Sequence, residues 1–203
     1  ADRLPTFESP GLTRVIVADF NEDGLRDVMA AAWSSDLLVY FAGHAETHLA
    51  PPVWIEAAGG PRDLAAADFD GDGHLDLAVT LYQEDRVAIV TGDGLGGFVH
   101  SHWFPARGRL PHTVQAADFN GDGHMDLAVS NCDTDDSIVV FLNDGKGRFP
   151  LSVELMLGQD REKLEAEIRD IHTADLNGDG RPDIVAACYA SAELAVFVNE
   201  TAP

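Results

Sequence analysis

A nine-residue acidic segment occurs four times without gaps in this chain. The copies are Asp19-Phe-Asn-Glu-Asp-Gly-Leu-Arg-Asp27, Asp68-Phe-Asp-Gly-Asp-Gly-His-Leu-Asp76, Asp118-Phe-Asn-Gly-Asp-Gly-His-Met-Asp126 and Asp175-Leu-Asn-Gly-Asp-Gly-Arg-Pro-Asp183. Their starts lie 49, 50 and 57 residues apart, and an alanine precedes each one (Ala18, Ala67, Ala117, Ala174). Self-similarity at such a period means a stack of like supersecondary units, each leaning on its neighbours to bury an apolar face. No single irregular core would place the same loop at the same spacing four times.

The flanks say which kind of unit. A β-like run follows each copy, namely Val28-Met-Ala-Ala, Leu77-Ala-Val-Thr, Leu127-Ala-Val-Ser and Ile184-Val-Ala-Ala. A second run then follows, as in Leu37-Leu-Val-Tyr-Phe41, Val87-Ala-Ile-Val90, Ile138-Val-Val-Phe-Leu142 and Leu194-Ala-Val-Phe-Val198. β-Branched and aromatic stretches bounded by Gly, Asn and Asp are strand signals. Gly92-Asp-Gly-Leu-Gly-Gly-Phe98 and Asn143-Asp-Gly-Lys-Gly-Arg-Phe149 add a turn and the start of a fourth strand. Four short strands repeated in tandem predict an all-β chain, a β-propeller of four blades with four antiparallel strands each. The expected layout is one domain over residues 1–203, with repeats at about 13–60, 61–110, 111–157 and 169–200.

The last repeat stops after three strands, and Pro5-Thr-Phe7-Glu-Ser-Pro10 resembles the Phe149-Pro-Leu-Ser start of a fourth. The segment 4–10 is therefore expected to close the last blade and pair an open sheet edge. The alternatives are a fragment of a larger ring, or half of a ring built by two chains. Only Arg161-Glu-Lys-Leu-Glu-Ala-Glu-Ile168 reads as helical.

The acidic loops carry the chemistry. Side-chain oxygens stand at positions 1, 3, 5 and 9, and position 7 offers a backbone carbonyl. The expected ligands are thus Asp19, Asn21, Asp23, Leu25 and Asp27; Asp68, Asp70, Asp72, His74 and Asp76; Asp118, Asn120, Asp122, His124 and Asp126; and Asp175, Asn177, Asp179, Arg181 and Asp183. So many hard oxygen donors suit Ca²⁺, about four ions per chain, better than the stricter octahedron of Mg²⁺. Glycine at position 6 permits the tight turn that gathers the acids. An EF-hand begins similarly but needs a glutamate at position 12 between two helices. Position 12 here is Ala30, Val79, Val129 and Ala186, and the flanks are strands. The first loop differs from the rest by having Glu22 at position 4.

With 35 acidic against 13 basic residues, the formal net charge is −22. Such a field repels nucleic acid. No apolar run is long enough for a membrane-spanning helix. Two cysteines, Cys132 and Cys188, leave the redox compartment open, and both a disulfide and a His/Cys metal site are conceivable for them.

These repeats resemble the FG-GAP/VCBS family, known from the propeller of integrin α-subunits. The resemblance spans nearly the whole chain. It implies that each loop joins the first two strands of a blade and holds a structural calcium ion at the positions named above. The family usually builds seven blades, so four repeats is a departure. With calcium as scaffold, function is expected on the opposite face. The non-repetitive stretches there are Trp33-Ser-Ser-Asp36, Tyr82-Gln-Glu-Asp-Arg86, Asn131-Cys-Asp-Thr-Asp-Asp136 and Cys188-Tyr189, with Arg62, Arg107, Arg109, His112 and Arg169. Aromatic and arginine residues together suit a protein or glycan partner. The expectation is a non-catalytic interaction module or accessory subunit, placed outside the cell, in the periplasm or at the cell surface, where calcium is plentiful. The alternative is a calcium-dependent lyase or hydrolase of sugars, using Asp63, His112, Asp170 and His172 near the axis. No phosphate loop, nucleophile elbow or zinc-hydrolase motif occurs.

Overall fold

The structure, a computed structural model, describes residues 11–132, 137–156 and 167–201. Four small antiparallel sheets follow one another along the chain. Blade 1 holds β1 (Leu12–Ala18), β2 (Asp27–Ala32), β3 (Leu37–Phe41) and, after a short hairpin of β4 (Gly43–His44) and β5 (His48–Leu49), β6 (Val53–Glu56). Blade 2 holds β7 (Pro61–Ala67), β8 (Asp76–Leu81), β9 (Arg86–Gly92) and β10 (Phe98–Pro105). Blade 3 holds β11 (Pro111–Ala117), β12 (Asp126–Asn131), β13 (Ser137–Leu142) and β14 (Leu151–Met156). Blade 4 holds β15 (Ile168–Ala174), β16 (Asp183–Cys188) and β17 (Glu193–Phe197). The expected four-bladed propeller architecture is what the chain adopts. The helical reading of 161–168 falls largely outside the described residues, and Ile168 opens a strand instead of ending a helix.

The second strands explain the packing. All six residues of β8 and of β12 are buried. A strand covered on both faces needs a continuous apolar run rather than an alternating one. Met29 and Leu38 of blade 1 pack on Leu64, Leu77 and Val79 of blade 2. Phe69, Ala78 and Ile89 pack on Leu127, Val139 and Phe141. Phe119, Ala128 and Ile138 pack on Ile171, Ile184 and Ala186. The core is thus three inter-blade layers, in which alanines opposite large side chains let the sheets approach, with a smaller cluster of Ala30, Ala32, Val39 and Phe41 on the outer face of blade 1.

Each inner strand carries an irregularity in register near its start, between Leu12/Arg14, Pro61/Leu64, Pro111/Val114 and Ile168/Asp170. Bulges re-aim side chains and often border sites. In blades 2 and 3 the second strand supplies a hydroxyl at this point. The Asp63 N–H donates to Thr80 Oγ1 (2.9 Å) and the Thr113 N–H to Ser130 Oγ (3.1 Å).

β1 packs on β7, β7 on β11 and β11 on β15, whereas β15 has no comparable packing on β1 among the described residues. The blades follow an arc with apolar end faces, that of blade 1 exposed along β1 but buried at Ala30, Ala32, Val39 and Phe41. At one end Val15 and Val17 are 54% and 58% exposed, in register with Ala30 and Val28. At the other Leu194 and Val196 are 69% and 49% exposed, in register with Ala187 and Val185. Among the described residues β17 pairs only with β16. Beside its far edge a groove of about 370 Å³ runs along Val140, Leu142, Val153, Leu155, Ile184 and Phe197. A fourth strand of blade 4 belongs there, as β14 does in blade 3. The segment 4–10 expected to supply it lies outside the described residues.

Candidate functional site

The four acidic loops share one hydrogen-bond scheme. The position 1 carboxylate accepts from the N–H of the position 6 glycine, at 3.0 Å for Asp19–Gly24, 3.0 Å for Asp68–Gly73, 2.9 Å for Asp118–Gly123 and 2.9 Å for Asp175–Gly180. The position 5 carboxylate accepts from the position 7 N–H, at 2.8 Å for Leu25, 2.8 Å for His74, 2.9 Å for His124 and 3.0 Å for Arg181. The position 6 glycines have φ between +85° and +93°, a region costly for any residue with a Cβ. The position 4 residue is also left-handed, and Glu22 adopts φ +58° where the other loops place glycine.

Position 9 has a distinct role. Asp27, Asp76, Asp126 and Asp183 are fully buried. One carboxylate oxygen accepts from the position 2 N–H (Phe20 2.9 Å, Phe69 2.9 Å, Phe119 3.0 Å, Leu176 2.9 Å). The other accepts from the N–H of a residue at or just beyond the end of the third strand (Gly43 2.6 Å, Gly92 3.0 Å, Asn143 2.8 Å, Asn199 2.8 Å). In blade 1 the Tyr40 hydroxyl also donates to Asp27 (2.9 Å). This aspartate therefore staples the loop to the third strand as well as closing the acidic ring. Burial pushes the Asp126 carboxyl up to about 6, and Asp76 shifts the same way for the same reason. In contrast the His124 N–H holds Asp122 below the usual range, and the Gly180 N–H does the same for Asp175.

Whether these residues fit a cation can be read from the second loop. Asp68, Asp70 and Asp76 bring carboxylate oxygens within 4.8 Å of one another. In the other loops an asparagine replaces the second acid, and its Nδ2 donates to the position 5 carboxylate at 3.0 Å (Asn21), 2.9 Å (Asn120) and 3.1 Å (Asn177). The donor set is all oxygen, gathered at the tip of one turn, and it fits a hard cation.

Two features of this end were not anticipated from the sequence. Glu22 reaches the second loop, with Oε1 2.6 Å from His74 Nδ1. Asn143 and Asn199 reach back one blade, donating through Nδ2 to the carbonyls of Phe69 and Phe119, both at 2.8 Å. Their signal was present: each is the first asparagine after a third strand, and blades 1 and 2 have glycine there.

At the other end Trp33, Tyr82, Cys132 and Tyr189 occupy the same place in the four repeats, immediately after the second strand. Arg62, His112 and Arg169 are each the second residue of an inner strand. The bulges bring these two sets together. Arg62 Nη2 lies 2.9 Å from His112 Nε2, and its guanidinium stands 6.0 Å from the Tyr82 ring centre. Tyr82 meets His112 and Trp33 edge to face, both with centroids 6.3 Å apart. Arg169 stands 5.4 Å from the Tyr189 ring and pairs with Glu167 (2.6 Å). Burial first, then Arg62 and Arg169, push His112 down to about 4, so the ring is neutral at pH 7.

The axial quartet is only partly assembled. Asp63 is buried and pairs with Arg14 (3.0 Å), and it accepts from the Val114 N–H (3.0 Å). Asp170 acts electrostatically on both Asp63 and His112, while His172 is exposed, 3.8 Å from Asp170. Two acids of the opposite-face stretches are structural. Asp36 accepts from the Gly60 N–H and Asp85 from the Leu110 N–H, both at 2.8 Å, which fixes the entry to the next blade. Arg109 lies 3.8 Å from Asp85, and Arg107 is a left-handed residue in the turn before β11. Cys132 Sγ lies 2.9 Å from the Ile168 carbonyl oxygen and Cys188 Sγ 4.0 Å from that of Ala186. Residues 133–136 of the third stretch lie outside the described residues. His44, His48 and His100 are exposed, whereas His102, which shares their outer position, is half-buried beside Phe104.

Comparison with known proteins agrees with this repeat structure. The model of the FG-GAP-like repeat matches residues 19–79, 78–129 and 129–186. Among curated proteins none matches. Similar solved structures include a candidate 6-phosphogluconolactonase from Bacteroides uniformis, 22% identical with a TM-score of 0.67 over 94% of this chain and 51% of that one. BBS1N, solved in complex with ARL6DN, is 12% identical with a TM-score of 0.59 over 93% and 58%. A protein from Lactobacillus plantarum is 18% identical with a TM-score of 0.56 over 95% and 56%. At these identities the likeness is one of fold alone. This chain spans a little over half the length of each.

Proposed function

The chain belongs to the FG-GAP-like repeat family, and on that footing we propose that its four acidic loops each bind one calcium ion that locks a propeller blade, leaving the opposite face to bind a protein or glycan partner. The observation that carries this reading is the convergence of Asp68, Asp70 and Asp76 within 4.8 Å, in a loop whose hydrogen bonds recur three more times. Without a cation, such carboxylates repel one another.

The ligands are the side chains at positions 1, 3, 5 and 9 of each loop with the position 7 carbonyl, from Asp19, Asn21, Asp23, Leu25 and Asp27 through to Asp175, Asn177, Asp179, Arg181 and Asp183. A bound calcium ion supplies positive charge and a cross-link between the two strands that the loop joins. The chain's own part is to hold the oxygens in place: the position 6 glycine turns the backbone, and position 9 is pinned by two N–H groups. The reading is of a non-catalytic module. No helix among the described residues is long and apolar enough to cross a membrane. A calcium-rich setting, outside the cell, in the periplasm or at its surface, would keep such loops filled.

Calorimetric titration of Ca²⁺ into chelator-treated protein tests the reading. About four sites per chain are expected, and Asp72→Ala and Asp122→Ala should each remove one. Saturation without heat, or a stoichiometry untouched by both variants, would overturn it.

A second reading, an enzyme acting on sugars, is favoured by one observation. Neutral, buried His112 lies in the field of Asp170 on a face that also carries arginines, and one similar structure is a candidate 6-phosphogluconolactonase by name. Turnover of a lactone or polysaccharide that His112→Gln abolishes would establish it over the module.

A further inference from the structure

We infer that the face opposite the acidic loops carries a binding site for an anionic sugar, centred on the Arg62 guanidinium and walled by Tyr82 and Trp33. This rests on the reading of that face as an interaction surface and names the chemistry it takes.

Charge is the first ground. In a chain with 35 acidic and 13 basic residues, nearly every arginine should find a carboxylate. Arg14, Arg86, Arg109, Arg169 and Arg181 do, at 2.6 to 3.8 Å. Among the described residues Arg26, Arg107 and Arg148 share with Arg62 the lack of such a pair, and of these four Arg62 is the one set against an aromatic ring and an imidazole. Arg62 has no carboxylate at ion-pair distance among the described residues, although Asp63 is its neighbour in sequence. The bulge at the start of β7 turns Asp63 toward Arg14 and Val114 and leaves Arg62 on the other side.

Its partner is the second ground. Arg62 donates to His112 Nε2 at 2.9 Å, and a nitrogen that accepts from a guanidinium carries no proton. A neutral imidazole orients the guanidinium and leaves its charge uncompensated. A half-buried, unneutralised guanidinium is a ready receptor for an anion, since its planar fork matches carboxylate and phosphate oxygens.

The walls decide the ligand class. Tyr82 lies against Arg62, and Trp33 meets it edge to face. Trp33 itself is held against Gly60, whose left-handed φ of +65° and missing Cβ make room for the indole; a Cβ there would lie 2.8 Å from Nε1. Ordered aromatic rings beside one cation suit a ring-shaped ligand with C–H faces and a single negative group. Arg169 over Tyr189 repeats the pairing in blade 4. A polyanion such as nucleic acid would meet the −22 field instead.

The test uses the calcium-saturated chain and three probes, an oligogalacturonate, a hexose 6-phosphate and a neutral galacto-oligosaccharide, followed by calorimetry. Binding of one or both anionic probes at least about tenfold tighter than the neutral sugar is expected, since a charge-assisted fork contributes that much. The better of the two identifies the anion as carboxylate or phosphate. Arg62→Met should lose about tenfold or more, Arg62→Lys should fall between, and Arg148→Met, in the turn between β13 and β14 at the acidic end, should change nothing. Each variant's melting temperature must match the parent, and Arg62→Lys serves if Arg62→Met does not fold. Neutral sugar bound equally well, or anionic binding unmoved by Arg62 variants, would overturn the site while leaving an interaction face in place. Binding of none of the three probes overturns it as well, and the calcium count stands apart from either result.

Discussion

Within each loop, the aspartates divide into two kinds that look alike in sequence. Positions 1 and 5 sit at an exposed turn and accept N–H bonds from it, whereas position 9 is buried and holds two strands together. The sequence pattern named all of them as ligands, because a carboxylate reads the same whether it faces an ion or a backbone. Substitution separates them. Asp126→Asn turns an amide donor toward a buried N–H and is expected to cost about 1–3 kcal/mol. That loss should persist in urea titrations with chelator present. Asp72→Asn should weaken calcium binding and leave the chelated protein within about 0.5 kcal/mol of the parent. Equal losses in chelator would mean that the two positions share one role.

His112 supports a prediction at the same scale. Its folded value of about 4 lies below the ordinary 6.5, so the unfolded chain takes up the proton first. Stability is therefore complete above about pH 6.5 and is lost as pH falls toward 4, by at most on the order of 3 kcal/mol. The groups around it are Arg62, Arg169, Tyr82 and Asp170, two of them cations that oppose its charging. The carboxylates titrate in the same range, so the quantity to compare is the slope of stability against pH. His112→Gln should flatten it between pH 6.5 and 4, and an unchanged slope would assign the acid sensitivity elsewhere.

Among elements, the strands were legible because their residues obey simple periods. Leu77-Ala-Val-Thr and Leu127-Ala-Val-Ser read as strands, and the structure buries β8 and β12 fully. The bulges were not legible, since Arg62-Asp63 and His112-Thr113 carry no glycine or other mark of the extra residue. Nor were the ties made by Asp36, Asp85, Asn143 and Asn199, each a single side chain reaching another blade. Position within the arc should decide how much a strand residue matters. Leu127→Ala, inside a closed layer, is expected to cost about 2–5 kcal/mol. Leu194→Ala, on the exposed face of blade 4, should cost under about 1 kcal/mol. Comparable losses in chemical denaturation would mean that the far face of blade 4 is covered in solution.

For the molecule as a whole, the repeat predicted four blades, but sequence cannot say which blade faces have a neighbour. Val15 and Val17 belong to the same apolar alternation as Leu64, and Leu194 and Val196 to that of Ile138 and Val140, yet only the inner members are buried. An apolar blade face is written the same way whether or not another blade rests on it. The end faces and the groove beside β17 are therefore visible only once the sheets are placed. The division of the molecule into an acidic end and an aromatic, arginine-bearing end was legible, because loops before and after the second strand must emerge on opposite sides of a blade.

The central claim is that calcium in the acidic loops holds the blades together, and metal content measured alongside a thermal melt tests it most directly. The protein is analysed as purified from calcium-containing buffer and again after EGTA. About four calcium ions per chain and a large fall in melting temperature on chelation are the expected result, since ligands bound only by the folded state stabilise it by mass action. Little bound calcium, with a melting temperature that EGTA does not move, would contradict the account and leave the acidic loops as hydrogen-bonded turns.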